Sequence, residues 1–462
     1  MDQNGGPSIA SHDTGSPRWL TGLAFYCFLG ILLFFSHGLY YHGAILALTA
    51  AFLPLAAAWL LDRPRLSFDS AALRDRAISA ALIVCSLLSA FRAGLVYAAP
   101  GPALTLLHAT TLLVCGWAFV RLGAAAGSSL RLRGDAAAAA LLVAGQVLTI
   151  LASPQPAIDV FTITTAALDH LAAGRNPYPQ AYLDIYGGRY GYAASPNYWP
   201  GLFYALLPFR VLAGDFRFGL VAANALCAWL LARLAGASDD FSGAGARDAL
   251  LWLSFPISFF VLEQAWIDSL LILALAGIAH GLTRRRWAVA GLSAGFLLGT
   301  KQYGLIAAWI TLWYVWRAGG PKPALRFGAF AAAVFGVCVI PFLLWDPQSF
   351  LLNSVRIYLE QPLRADSLSW PTFFLRELHW VPPGGLRSAL GVAGFALLIP
   401  LALLNRRPQP RPADWAAALA LAYAWTFLEM KNAFCNYYYL IAFLLVLTLC
   451  LTPSYSENRA RG

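Results

Sequence analysis

Runs of roughly 20 apolar residues, parted by short polar turns, succeed one another along most of this chain, beginning with Trp19 to Ser36. That length is what a helix needs to cross a hydrocarbon core of about 30 Å. The strands of a membrane barrel would instead alternate apolar and polar side chains every second residue. The pattern therefore predicts an all-α polytopic membrane protein. Composition agrees: only 12% of the 462 residues are charged and 59% are hydrophobic, whereas a soluble domain carries about 25% charged residues to cover its surface. The seven cysteines lie in or beside apolar runs, with no Cys-x-x-Cys and no Cys/His cluster, so neither a zinc site nor a disulfide framework is expected. The first run follows a polar tail and lacks a small-residue cleavage site, and reads as a retained span rather than a signal peptide.

Five apolar segments lie near 19–37, 40–61, 77–98, 103–124 and 135–152, and a polar, aromatic stretch follows over 153–197. Seven more occupy 198–344, a second polar stretch covers 345–384, and three segments near 385–404, 413–429 and 434–452 complete the series. The net charge of +10 is explained by orientation. If the segment at 198–213 lies in the interface or re-enters, about 14 crossings place 21 of the 32 lysines and arginines on the cytoplasmic side, as the positive-inside rule requires. The surplus then needs no nucleic-acid partner. Both polar stretches fall outside the cell membrane, and no internal repeat of the transporter kind is visible.

Ionisable groups near lipid cost about 2.5 kcal/mol or more at a helix centre and are kept chiefly for pairing or function. In this topology they gather at the extracytoplasmic edge. Asp159, at the head of an amphipathic run from Val160 to Ala173, suits a helix cap or a general base. His170, eleven residues on, falls about 20° around an ideal helix from it. Seven tyrosines crowd Tyr178 to Tyr204 (Tyr178, Tyr182, Tyr186, Tyr190, Tyr192, Tyr198 and Tyr204), either as an interfacial aromatic belt or as a platform for sugar rings, whose C–H faces pack on aromatics. Lys301 is a snorkelling lysine or a phosphate contact. Arg356 and Arg364 in the second stretch can serve a phosphate likewise.

The order Asp159, then Ala173-Gly174-Arg175-Asn176-Pro177-Tyr178, then Tyr198-Trp199-Pro200, then Glu263-Gln264 with Asp268, then Ala290-Gly291 with Lys301 resembles the GT-C membrane glycosyltransferases. It is most similar to the glycosyltransferase family 87 group of polyprenol-phosphate-dependent mannosyltransferases. The resemblance covers roughly 136–451. It implies a GT-C-like catalytic module over 135–344 with the first extracytoplasmic loop at 153–197, a second loop at 345–384 and C-terminal helices over 385–462. Residues 1–134 form a four-helix extension ahead of that module. The resemblance also implies interfacial helices in both loops, a polyprenyl-phosphate sugar donor entering from the membrane lipid, and a glycan or glycolipid acceptor.

Asp159 takes the position of the catalytic acid in that family. Lys301 and Arg364 become donor-phosphate residues, and His170, Tyr178, Glu263, Gln264 and Asp268 substrate-binding residues. Where many of the wider class have paired acids, this chain has Asp159 followed by Val160, so no metal and no other cofactor is expected. Glu263 stands where glycine is usual. The reading is an inverting hexosyltransferase, mannose favoured, in a bacterial inner membrane. The alternative from another class is a transporter or flippase of a lipid-linked sugar.

Overall fold

Helices built from such sequences need only bury or expose apolar surface, and the chain divides them by that criterion. A computed structural model describes residues 18–61, 71–91, 94–125, 128–191, 193–235, 244–384 and 403–452. Its helices run in the order α1 (Arg18–Ser36), α2 (His42–Leu60), α3 (Ala71–Phe91), α4 (Pro102–Gly123), α5 (Ser129–Ala152), α6 (Asp159–Ala172), α7 (Gly201–Ala213), α8 (Arg217–Ala235), α9 (Ala244–Leu253) and α10 (Ser258–Glu263). There follow α11 (Asp268–Thr283), α12 (Trp287–Thr300), α13 (Gly304–Gly319), α14 (Pro321–Trp345), α15 (Pro347–Leu351), a π turn (Leu352–Arg356), α16 (Ile357–Glu360), α17 (Trp370–Glu377), α18 (Pro412–Glu429) and α19 (Cys435–Leu451). The described residues contain no strand, only one isolated bridge between Leu39 and Ser367. Most of the segment expected at 385–404, together with Arg92 and Tyr192, lies outside the described residues.

Among the described residues, six helices are long and apolar enough to cross a membrane: α1, α2, α4, α5, the stretch Arg217–Leu234 of α8, and α14. Several of them turn large apolar side chains outward, among them Phe35, Leu112, Leu113, Leu325 and Leu344. In water such patches would be liabilities; against lipid they are the expected surface. The helices α11, α18 and α19 are shorter and apolar on nearly every face, and most of their side chains are buried. An all-round apolar helix belongs inside a bundle. There α1, α9, α11 and α18 pack around α19. At 13 residues, α7 is about 20 Å long, too short for the hydrocarbon core.

Glycine spacing sets one close approach. Along α12, Gly291, Gly295 and Gly299 recur every fourth residue and face α14. A Cβ would stand 2.4 Å from the Phe327 carbonyl oxygen at the first and 2.4 Å from that of Ala331 at the second. Small residues at this spacing let two membrane helices meet backbone to backbone. At Gly201 an added Cβ would lie 2.7 Å from the Gly299 oxygen, so the start of α7 is pressed against the end of α12, where Lys301 follows.

Candidate functional site

The long polar stretches, the α1–α2 turn and residues Val96 and Tyr97 between α3 and α4 meet at one end of the bundle and line a cavity of about 380 Å³. Asp159 enters it as the first residue of α6; the cap position belongs to Ile158, and the Asp159 carboxylate accepts the Val160 N–H at 2.8 Å. Opposite, the second stretch contributes Arg364 and Asp366, and the unwound turn between α10 and α11 contributes Gln264. A smaller pocket, about 40 Å³, lies on the other side of Asp159, between α6 and the start of α7. Asp159, Tyr186, Tyr190, Asn197 and Tyr198 line both, so the carboxylate stands where the two spaces meet.

The electrostatics of the two carboxylates on the larger cavity differ. Asp366 forms a bidentate pair with Arg364, both contacts 2.8 Å. Burial alone would raise its pKa, but the Arg364 bond and charge outweigh that and hold the carboxyl below its usual range. The Arg364 guanidinium also lies over the Tyr190 ring, 3.5 Å from its centroid, and near Phe434 at 4.9 Å. Asp159 has no ion-pair partner within 4 Å among the described residues. Burial pushes its carboxyl above the ordinary value, against the opposing pull of the Val160 amide and of Arg364. A half-buried acid in a cleft, with a raised pKa and a nearby cation, is suited to taking up a proton.

The remaining expected residues fall into two groups. Gln264 lines the cavity with Asp159 and Arg364; Lys301, Asp268, Tyr178, Glu263 and His170 do not. The Lys301 ammonium is buried, 3.1 and 3.3 Å from the two oxygens of Asp268. It lies within about 5 Å of the Tyr198, Tyr303 and Tyr437 rings (5.2, 4.7 and 4.9 Å). Asp268 also accepts from the Tyr303 hydroxyl and, at 2.7 Å, from Asn436. Because Tyr198, Asn436 and Tyr437 line the cavity, this neutral cluster is its floor. Tyr178 is buried among Phe203, Phe342 and Phe350, its hydroxyl donating to the Tyr198 carbonyl at 2.8 Å.

His170 sits at the far end of α6, about 16 Å along the axis from Asp159. It accepts from Arg175 at 3.1 Å and meets the edge of Tyr182. Arg356 pairs with Glu360 at the exposed surface, at 2.5 Å.

Glu263, fully buried at 0% exposure, spends both oxygens on the loop after α3, accepting the Val96 N–H at 2.7 Å and the Tyr97 N–H at 2.8 Å. Val96 and Tyr97 line the cavity. The Glu263 carboxylate thus anchors the loop between α3 and α4 at the cavity. His37, in the α1–α2 turn, lines it too and packs on Phe260. Sequence reading missed His37, Tyr97, Asn432, Asn436 and Tyr437. The two asparagines four residues apart, entering an apolar run at Lys431-Asn432-Ala433-Phe434-Cys435-Asn436, were the available signal.

Among the described residues, no three His, Cys, Asp or Glu side chains converge as metal ligands would. No family model matches this chain, and no curated protein matches it. The likeness to GT-C glycosyltransferases therefore rests on the residues quoted for it.

Proposed function

We propose that this chain is an inverting membrane glycosyltransferase of about 14 crossings, moving a hexose, mannose favoured, from a polyprenyl-phosphate donor to a glycan or glycolipid hydroxyl at the extracytoplasmic face. The observation that carries the reading is Asp159, an acid at the junction of two cavities with no ion pair among the described residues. In this mechanism the acceptor hydroxyl approaches from the smaller pocket and Asp159 removes its proton as the oxygen attacks the anomeric carbon. The bond from that carbon to the phosphate oxygen breaks, its electron pair leaves with the phosphate, and configuration inverts through an oxocarbenium-like transition state, as in inverting glycosidases.

Arg364 faces the departing phosphate. Asp366 and Tyr190 fix its plane beforehand, so little reorganisation is needed when charge develops. Gln264, Asn197 and the tyrosines offer hydrogen bonds and apolar ring faces to the sugar. The Lys301–Asp268 pair holds the floor on which Tyr198 and Tyr437 sit, and Glu263 holds Tyr97 above. The four N-terminal helices are then part of the site and not an appended module.

The test is transfer by purified protein in proteoliposomes supplied with a polyprenyl-phosphate sugar. Native protein turns over and Asp159→Asn does not, at equal expression. Turnover by Asp159→Asn removes the base assignment, and movement of intact donor across the bilayer without transfer removes the enzyme reading in favour of a flippase.

A further inference from the structure

At the opposite, arginine-rich end of the bundle, a second cavity of about 220 Å³ opens between the end of α11, the start of α12, the last turns of α13 and the segment leading into α18. Arg285, Arg411, Tyr314, Gln409, Trp287 and Thr283 line it, and Pro410 and Pro412 stiffen one wall. None of the lining residues is acidic. Beside it, the Asp414 carboxylate accepts the Arg411 backbone N–H at 2.8 Å and stands 3.8 Å from the Arg411 guanidinium and 3.9 Å from that of Arg407. Arg284 and Arg286 flank Arg285 in the chain, and Arg317 reaches the Arg407 carbonyl from α13. The pocket is thus a concave surface of excess positive charge.

Orientation in the membrane accounts for arginines at this end, but not for the conformation of one of them. After α11 the chain turns with Arg285 in the left-handed region, at φ 51°, while the Arg286 N–H closes the turn on the Gly281 oxygen at 2.7 Å. This position in a helix-ending turn ordinarily belongs to glycine. Glycine does hold it after α6, α7 and α13, at Gly174, Gly214 and Gly320. A side chain kept in a strained conformation marks a place where its position is used. Here the strain keeps an arginine without an ion-pair partner among the described residues at the mouth of a pocket shared with Arg411.

We infer that this pocket binds a phosphate group, held between Arg285 and Arg411 with Tyr314 and Gln409 as further donors. Guanidinium groups suit phosphate oxygens in shape and charge, and basic pockets between membrane helices at this depth hold anionic headgroups. Two sources share that chemistry: a phospholipid of the adjacent leaflet and a soluble phosphorylated compound. The inference is independent of the proposed glycosyl transfer.

Native mass spectrometry of the full-length protein, exchanged from mixed micelles containing phosphatidylglycerol or phosphatidylcholine, tests it alongside thermal melting with inorganic pyrophosphate. Arg285→Gly removes the charge while suiting the backbone, Arg411→Gln removes the second, and Arg326→Gln is a control at the same end away from the pocket. Retention of phosphatidylglycerol is expected to fall about 5-fold in each pocket variant, the worth of one arginine near a charged surface, and not in the control. Stabilisation by pyrophosphate that both pocket variants lose, without a preference for phosphatidylglycerol, assigns the pocket to a soluble ligand. Equal loss in all three variants, or neither lipid preference nor a pyrophosphate shift in native protein, overturns the proposal. Melting of Arg285→Gly at or above the native temperature separates loss of binding from loss of fold.

Discussion

Two groups of buried charge, one at each end of the bundle, obey different rules. At the arginine-rich end, Asp75, Arg121, Arg131 and Asp135 tie α3, α4 and α5 together. Arg121 reaches Asp135 at 2.9 Å and Asp75 at 3.4 Å, Arg131 reaches Asp75 at 2.6 Å, and the Trp117 ring donates to Asp135 at 2.9 Å. Two cations meet two anions and each acid has a cation. At the loop-rich end Asp366 and Arg364 are matched in the same way, but Asp159 is not. Ions removed from water need partners; an acid left without one beside a cavity is costly unless it is used. The comparison separates charge that holds helices from charge that is available for chemistry.

Substitution of like residues in the two groups gives the largest contrasts. Asp159→Asn is expected to lower transfer by about 10²- to 10⁴-fold, the usual worth of a general base, measured as product formed in proteoliposomes. Its stability moves the other way. Burial raises the folded pKa above the unfolded value, so the ionised carboxylate weakens the fold as pH rises through the folded pKa. Removal of that charge leaves the protein at least as stable at neutral pH, and a lower melting temperature would show that Asp159 is a structural acid after all. Asp135→Asn removes the nearer acid of Arg121 and leaves it only the longer contact to Asp75; it should cost about 3 kcal/mol, read as loss of folded protein in a denaturant titration. A melting curve unchanged from native would dissolve the distinction between the two ends.

Smaller effects sharpen the group at the loop-rich end. Glu263→Gln keeps the shape but weakens the hold on Val96 and Tyr97, with an expected loss of about 1–3 kcal/mol in stability or transition-state binding. Release of the Tyr97 turn should appear as faster amide exchange there, and unchanged exchange would detach the N-terminal helices from the site. Arg364→Gln removes a charge that lowers the Asp159 pKa. The acid limb of kcat/KM should therefore move to higher pH, because the base works only when ionised; a limb that stays in place separates Arg364 from Asp159. Tyr178→Phe deletes one bond to the Tyr198 carbonyl and should cost only about 0.5–1.5 kcal/mol, visible in melting.

Much of this was legible in the chain. Apolar run length announced the membrane helices, and the amphipathic stretch expected at 160–173 is α6, Asp159–Ala172. Asp159, Gln264 and Arg364, separated by about a hundred residues each, line one cavity. The partners of the other candidates were not legible. Lys301 looked like a surface cation because nothing local shows that Asp268, 33 residues earlier, lies beneath it. Glu263 looked like a ligand because the amide donors it pairs with, Val96 and Tyr97, come from the distant loop between α3 and α4.

Periodicity and composition are local properties, and they determined the class of this protein, its helical segments and the short list of acids and bases that a bilayer makes expensive. Which of those charges is neutralised is a matter of contact between distant segments. The close meeting of α12 with α14 and the seating of α19 at the centre of the bundle decided that Lys301 and Asp268 meet each other and that Asp159 meets a cavity. The cost of an unpaired charge is set by the three-dimensional surroundings that exclude water, so only the tertiary structure distinguishes the acid that holds the fold from the acid that remains available.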